Sequence, residues 1–230
     1  MQIAQVRDSH IHLLAPGFNL PSKVPIGGVD PLEYGVLNSP PGSPNSKLFH
    51  ISGSVDPTGY AAAEWFWNRP VQPSIGKFRS GIIFRMNAIY PKFWQAFELD
   101  VKLTLADGLT RNFSQEMLPY NSMVQVSGQD SGWNNAANLP TITPDVPHTY
   151  IQEYEYDPTG NTYSSAVPSL DSKPLIIVPT YPALTAYKEG PAGAPGWPVG
   201  AVVQFQITQT LLAGGIEITV DDLWLEWDQQ

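Results

Sequence analysis

The chain has 230 residues, a formal net charge of −9, no cysteine, and only 14% charged against 42% hydrophobic residues. The missing cysteines exclude a disulfide framework and a zinc–thiolate centre. An acidic balance without a basic run argues against nucleic acid and anionic membrane surfaces as partners, and no apolar stretch is long enough for membrane insertion. The length suits one large domain with a sizeable core. The 23 prolines and 19 glycines suit many loops and few exposed helical faces.

The N-terminus has no apolar run of signal-peptide length. Either a leader has been removed or the protein is released without the usual export signal, and the expected location is extracellular or the surface of a virion. Residues 3–14 read as a short strand in which Asp8, His10 and His12 share one face. A zinc site needs three or four protein ligands, and His50 and His148 would have to converge from elsewhere, so a hydrated terminal strand is the favoured reading. Residues 15–47 hold seven prolines and no sustained periodicity. They read as a Pro-rich extended arm lying along the domain or along another subunit. The expected division is therefore an N-terminal strand and arm over 1–47 and a β-sandwich over 48–230.

Residues 59–67 suit a helical turn or a strand: Ala61–Ala63 favour helix, whereas Trp65 and Trp67 on one face favour strand. In 78–87, Ile82, Phe84 and Met86 alternate with Ile83 and Arg85. The clearest strand is 97–105, where apolar and polar residues alternate strictly. Side chains in a strand point to opposite faces with period two. Phe97, Leu99, Val101, Leu103 and Leu105 therefore line a buried face, while Glu98, Asp100, Lys102 and Thr104 line the other.

Asp107-Gly108 is a hairpin-turn signal, so 109–118 is expected to return antiparallel, followed by a strand over 123–127. Tyr150, Gln152, Tyr154 and Tyr156 share a face before an Asp-Pro-Thr-Gly turn, and 174–179 is a short apolar strand. A Gly/Pro loop at 188–200 carries Trp197. In 201–211, Val203, Phe205, Ile207 and Leu211 go inward and Gln204, Gln206, Thr208 and Thr210 outward. In the last strand Ile216, Ile218 and Val220 are even-numbered but Leu223, Leu225 and Trp227 odd. Such a switch of parity at Asp221-Asp222 predicts a β-bulge. The fold class is all-β, an antiparallel double-sheet jelly-roll sandwich.

Four segments carry a family resemblance: Trp94-Gln-Ala-Phe-Glu-Leu-Asp-Val, His148-Thr-Tyr-Ile-Gln-Glu-Tyr-Glu-Tyr-Asp, Val202-Val-Gln-Phe-Gln-Ile and Ile218-Thr-Val-Asp-Asp-Leu-Trp-Leu-Glu-Trp. Together they resemble the concanavalin A-like lectin/glucanase (laminin-G-like) superfamily over about 78–227, in the order of its jelly roll. A galactose-binding-like sandwich is the alternative topology. Laminarinase-type members carry Glu-x-Asp-x-Glu on the concave sheet, the first Glu as nucleophile and the last as acid/base. Here Glu98 and Asp100 match the first two positions, but Lys102 or Leu103 stands at the acid/base position. The resemblance thus implies the fold without that hydrolase chemistry. It also leaves a structural calcium ion open as cofactor, with Asp130, Asp157, Asp221 and Asp222 as oxygen donors near turns, although no ordered ligand loop is legible.

A Ser-His-Asp triad has the residue types it needs but no nucleophile elbow. Asn112-Phe-Ser114 is a glycosylation sequon, meaningful only in a eukaryotic secretory pathway. Aromatic residues are the stronger signal. Sugar rings stack C–H patches on aromatic faces, and their hydroxyls need amides and carboxylates. Trp65, Trp67, Trp133 and Trp197 supply the first and Glu98, Asp100, Gln204 and Gln206 the second, although large aromatics usually anchor cores. The expected function is a non-catalytic glycan-binding or adhesion module for a polysaccharide or surface glycan. The alternative is a structural subunit of a virion or surface assembly, with homo-oligomer or neighbouring-subunit contacts. A non-standard lyase or hydrolase stands third.

Overall fold

A computed structural model describes residues 9–12, 22–26, 33–38, 46–53, 60–69, 77–86, 94–104, 110–128, 132–157, 162–175, 184–185, 187–189, 200–210 and 214–227. In chain order the strands are β1 (Ser9–His12), β2 (Ser22–Ile26), β3 (Glu33–Asn38), β4 (Lys47–Gly53), β5 (Tyr60–Arg69), β6 (Lys77–Met86), β7 (Trp94–Thr104), β8 (Thr110–Leu118) and β9 (Met123–Gly128). They continue with β10 (Gly132–Asn138), β11 (His148–Asp157), β12 (Thr162–Leu170), β13 (Lys173–Pro174), β14 (Leu184–Thr185), β15 (Tyr187–Glu189), β16 (Gly200–Thr210) and β17 (Gly214–Trp227). One 3-10 turn, Pro119–Asn121, is the helical element among the described residues.

The strands form two antiparallel sheets. A nine-stranded sheet runs β13-β12-β11-β6-β17-β4-β3, with β1 on β17 and β14 on β12. An eight-stranded sheet runs β10-β9-β8-β7-β16-β5-β2, with β15 on β8. Of the stretch 59–67, ambiguous from composition, residues 60–67 belong to strand β5. Within 15–47, β2 pairs with β5 and β3 with β4, so both segments extend sheet edges. Residues 10 and 12 pair with Glu226 and Trp224 through β1. The turn at 107–108, Asp130, Trp197 and the apolar run at 176–179 lie outside the described residues.

The core lies between the sheets and follows the alternation. Phe97, Leu99 and Val101 of β7, Phe113 and Met117 of β8, and Val124 and Val126 of β9 are buried from one side. Ile82 and Phe84 of β6, with Ile218, Val220, Leu223 and Leu225 of β17, are buried from the other. Phe84 stacks on Phe97 across the gap, ring centres 5.2 Å apart at 19°. Phe78 stacks on Tyr154 and meets Phe113 edge-on, both at 4.9 Å.

Polar side chains from β11 tie the sheets together. The Tyr150 hydroxyl donates to Gln115 Oε1 (2.6 Å), and Gln152 Nε2 donates to Ser80 Oγ (2.8 Å) and to the Leu99 carbonyl (2.9 Å). In the interior such bonds satisfy groups that would otherwise be costly to bury.

The parity switch in β17 is a bulge: the ladder to β6 passes from Val220↔Phe84 to Asp222↔Ile83, leaving Asp221 as the extra residue. The bulge returns Leu223 and Leu225 to the core row. Asp221 turns its carboxylate to Ser46 Oγ (2.7 Å) and Arg85 Nη2 (2.9 Å), and Asp222 Oδ1 accepts the Leu223 N–H (2.9 Å).

A second anchor is Asp171, which with Ser172 (φ 52° and 62°) forms the two-residue turn between β12 and β13. Left-handed φ at both central residues is what a tight hairpin of this twist requires. The Asp171 carboxylate accepts from the Thr149 N–H (2.9 Å) and from His148 Nδ1 (2.8 Å), while His148 Nε2 accepts the Thr143 N–H (3.1 Å).

The outer face of the nine-stranded sheet carries paired opposite charges. Arg79 bonds Glu226 and Glu153, Lys77 lies 3.6 Å from Glu155, and Arg85 pairs with Asp221. Trp224 is half-buried on this face, directly opposite Gly81. A Cβ at residue 81 would lie only 2.1–2.6 Å from three carbons of its indole ring. Gly81→Ala is therefore expected to cost about 1–3 kcal/mol through forced displacement of the ring. In a Trp224→Ala background most of that cost should vanish. Urea denaturation of the two single variants and the double variant measures the coupling; equal costs in both backgrounds would rule out the clash as the cause.

Candidate functional site

Directly opposed residues in an antiparallel pair share a face, so the register assembles the outer face of the eight-stranded sheet. One row crosses six strands: Glu64 of β5, Gln206 of β16, Glu98 of β7, Glu116 of β8, Gln125 of β9 and Asn135 of β10. The next row along holds Phe66, Gln204, Asp100 and Ser114. Every member of the first row is a carboxylic acid or an amide. Glu98 and Glu116, as a directly opposed pair, have Cβ atoms about 4.5–5.5 Å apart.

The face is closed at its centre and opens toward β10. Asp100 and Ser114 are each only 1% exposed, and Glu116 is also buried. Glu98 and Gln125 are half-buried, and Asn135 is exposed. Gln125 Nε2 donates to Asn135 Oδ1 (2.7 Å), which fixes both amides at the open end. Trp133 is paired with Ser127, two residues from Asn135 on the same side of β10, and is 39% exposed.

Burial disfavours the ionised form of a carboxyl, and a neighbouring like charge disfavours it further. Both act on Glu116. Burial first, and then the charge of Asp100, push its pKa up to about 7. The face therefore holds a carboxyl that exchanges its proton near neutrality beside Glu98 and Asp100.

The register brings together Glu98, Asp100, Gln204, Gln206 and Trp133 among the residues expected at a site. It pairs Trp65 with Phe205 and Trp67 with Val203, at the register positions of Leu99 and Val101. Trp197 lies outside the described residues. Glu116 was not singled out by sequence motifs. The signal for it is the Asp107-Gly108 turn, since a hairpin centred on Asp107 pairs residues equidistant from it and so sets Glu98 against Glu116. That residue also supplies a carboxyl across the ladder where β7 itself offers Lys102 or Leu103. Among the described residues no three His, Asp or Glu side chains are arranged to hold a metal ion.

No family model matches the chain, and no curated protein matches it. Solved structures do. A peanut lectin determined with a nine-residue peptide superposes with a TM-score of 0.50 at 10% identity, covering 99% of this chain and 100% of the lectin. An endo-β-1,4-glucuronan lyase from the fungus Trichoderma reesei gives a TM-score of 0.50 at 13% identity, over 85% of this chain and 87% of the lyase. The chain thus shares the double-sheet jelly-roll fold of this lectin and this lyase. Of the two sandwich topologies consistent with the sequence, these likenesses select that one.

Proposed function

We propose that the protein is a glycan-binding β-sandwich module whose site is the outer face of the eight-stranded sheet. The observation that carries this reading is the uninterrupted row of acids and amides from Glu64 to Asn135, with the exposed Trp133 beside its open end. Carboxylates accept and amides both donate and accept, which matches the mixed hydrogen bonding of sugar hydroxyls. An exposed indole offers a face for ring stacking. A fold shared with a lectin supports the same reading. Binding at a single such site gains from multivalency, as an adhesion module at a cell or virion surface would.

A glycan-array screen of the protein beside Trp133→Ala and Glu98→Gln tests this. Binding that falls at least about tenfold in either variant, equivalent to about 1.4 kcal/mol, is the expected result. Absence of binding to every glycan would refute the reading and favour the structural-subunit alternative.

A second reading, glycan cleavage, is favoured by one observation: Glu116, protonated near neutrality, stands directly opposite Glu98. A carboxylic acid and a carboxylate flanking one bond are the groups that glycoside hydrolysis uses. Incubation of bound oligosaccharides with the protein, followed by measurement of new reducing ends, separates this from binding alone.

A further inference from the structure

The connection from β10 to β11 is held at its middle by one histidine. His148 opens β11 with a side chain only 7% exposed, and its ring lies 5.9 Å from that of Phe84 on β6. Both ring nitrogens are engaged. Nδ1 meets Asp171 Oδ2 at 2.8 Å, while the Thr149 N–H donates to Asp171 Oδ1 (2.9 Å) and fixes that carboxylate. A proton on Nδ1 suits the carboxylate and leaves Nε2 of the neutral ring as an acceptor. Nε2 lies 3.1 Å from the Thr143 amide nitrogen and also 3.1 Å from the Thr143 carbonyl oxygen.

The double contact follows from the sequence. Pro144 keeps the residue before it out of the helical region, and an extended residue points its N–H and C=O to the same side. Nε2 thus faces a donor and an acceptor of one residue. Unprotonated, it takes the N–H; protonated, it can give only to the carbonyl. Histidine is the side chain whose charge ordinarily changes between pH 5 and 8. The other charged groups described around it are engaged or exposed. Arg85 of β6 pairs with Asp221, Asp145 is an exposed loop residue whose N–H donates to the Met86 carbonyl (2.9 Å), and Lys173, beyond the turn at Asp171, is exposed.

We infer that His148 is a proton-operated joint of the loop 139–147, in which uptake of a proton at Nε2 exchanges the bond from the Thr143 N–H for a bond to the Thr143 carbonyl. The loop shifts without being released. Its start stays anchored, because the Leu139 N–H donates to the Ser122 carbonyl (2.9 Å) and the Leu139 and Ile142 side chains are buried. A charged ring also strengthens the bond to Asp171. What rearranges is the exposed stretch of Thr143, Pro144 and Val146. That stretch lies on the chain leaving β10, at the open end of the candidate face, so pH acts there by a route separate from Glu116. The inference does not depend on the ligand of that face.

The test is a nuclear magnetic resonance titration of the full chain from pH 8 to pH 5, following the His148 ring and the amides of Leu139, Thr143 and Thr149. The Thr143 amide resonance is expected to move with the same midpoint as the ring. Its protection from exchange, corrected for the intrinsic rate, should fall about tenfold, the size of one such bond. The Leu139 and Thr149 amides should keep theirs. Asp171→Asn removes the carboxylate that favours the charged ring and should move both midpoints together to lower pH. In His148→Gln the Thr143 amide should show no titration, and the Asp171→Asn arm carries the test even if that variant does not fold. A Thr143 amide that stays fixed while the ring titrates would overturn the inference, as would a midpoint that does not follow Asp171→Asn. A ring that keeps one charge state throughout the range would overturn it too. Loss of protection at Leu139 together with Thr143 would also overturn it, by showing that acid melts the loop instead of shifting it.

Discussion

Phe84→Ala is expected to destabilise the protein by about 3–5 kcal/mol, the range for removing a fully buried phenylalanine, and to lower the melting temperature on the order of 10 °C. Phe84 is completely buried and stacks on Phe97 of the opposite sheet, with the His148 ring 5.9 Å from its own. Its strand lies between β11 and β17, in the interior of the nine-stranded sheet. Edge fraying therefore cannot relax the cavity. A second consequence is local: His148 pins residue 143 and the turn at Asp171, so loosening its ring should also increase amide exchange at Thr143 and Thr149. Urea denaturation with hydrogen exchange measures both. Trp133→Ala, at an exposed position, is the control and should shift stability by less than about 0.5 kcal/mol. Similar losses in the two variants would contradict this account of the core.

Glu116→Gln is expected to stabilise the protein above pH 7, by up to about 3 kcal/mol. The sign follows from the direction of the shift. The native pKa is raised from 4.5 to about 7, so between these values the folded chain holds a proton that the unfolded chain has released. Stability contributed by the protonated carboxyl is fully present below pH 4.5 and is lost as pH rises through 7. Glutamine keeps the shape, removes the titration and should flatten that decline. Denaturant unfolding of both proteins at pH 5 and pH 8 measures it: nearly equal stabilities at the lower pH and a more stable variant at the higher one are expected. Parallel pH profiles would show that burial of Glu116 carries no such penalty. A stabilised variant that loses glycan binding would also separate function from folding.

Much of the sandwich was legible wherever one face of a strand is buried and the other is not. In β7 the alternation of Phe97, Leu99 and Val101 with Glu98 and Asp100 marked the strand, and the stacking of Phe97 on Phe84 of the other sheet identifies its apolar row as the inward one. The parity switch between Val220 and Leu223 located the bulge to the residue. Legibility failed in β10 and β12, whose sequences Gly-Trp-Asn-Asn-Ala-Ala-Asn and Thr-Tyr-Ser-Ser-Ala-Val-Pro-Ser-Leu lack an apolar alternation. Both are held by tertiary pairing, and both ladders carry an irregularity, at Asn135/Ala137 and at Ile151/Glu153. For the site, alternation identified Glu98 and Asp100, but nothing local distinguishes the two faces of β5. Its tryptophans alternate with Glu64 and Phe66, and only the pairing with Phe205 assigns their row. Glu116 needed the same long-range information.

The ends of the sheets have a consequence for how molecules of this protein meet. A free sheet edge is a template for another chain's strand, and natural proteins blunt it with prolines, bulges or short strands. Here β10 is kinked by its bulge at one end of the eight-stranded sheet, and Pro25 interrupts the donor pattern of β2 at the other. The nine-stranded sheet ends on a two-residue strand containing Pro174. Edge-to-edge growth into fibrils is disfavoured at each of these three borders. The fourth border is β3, six residues without a proline, and it is there that a strand of another molecule meets the least resistance.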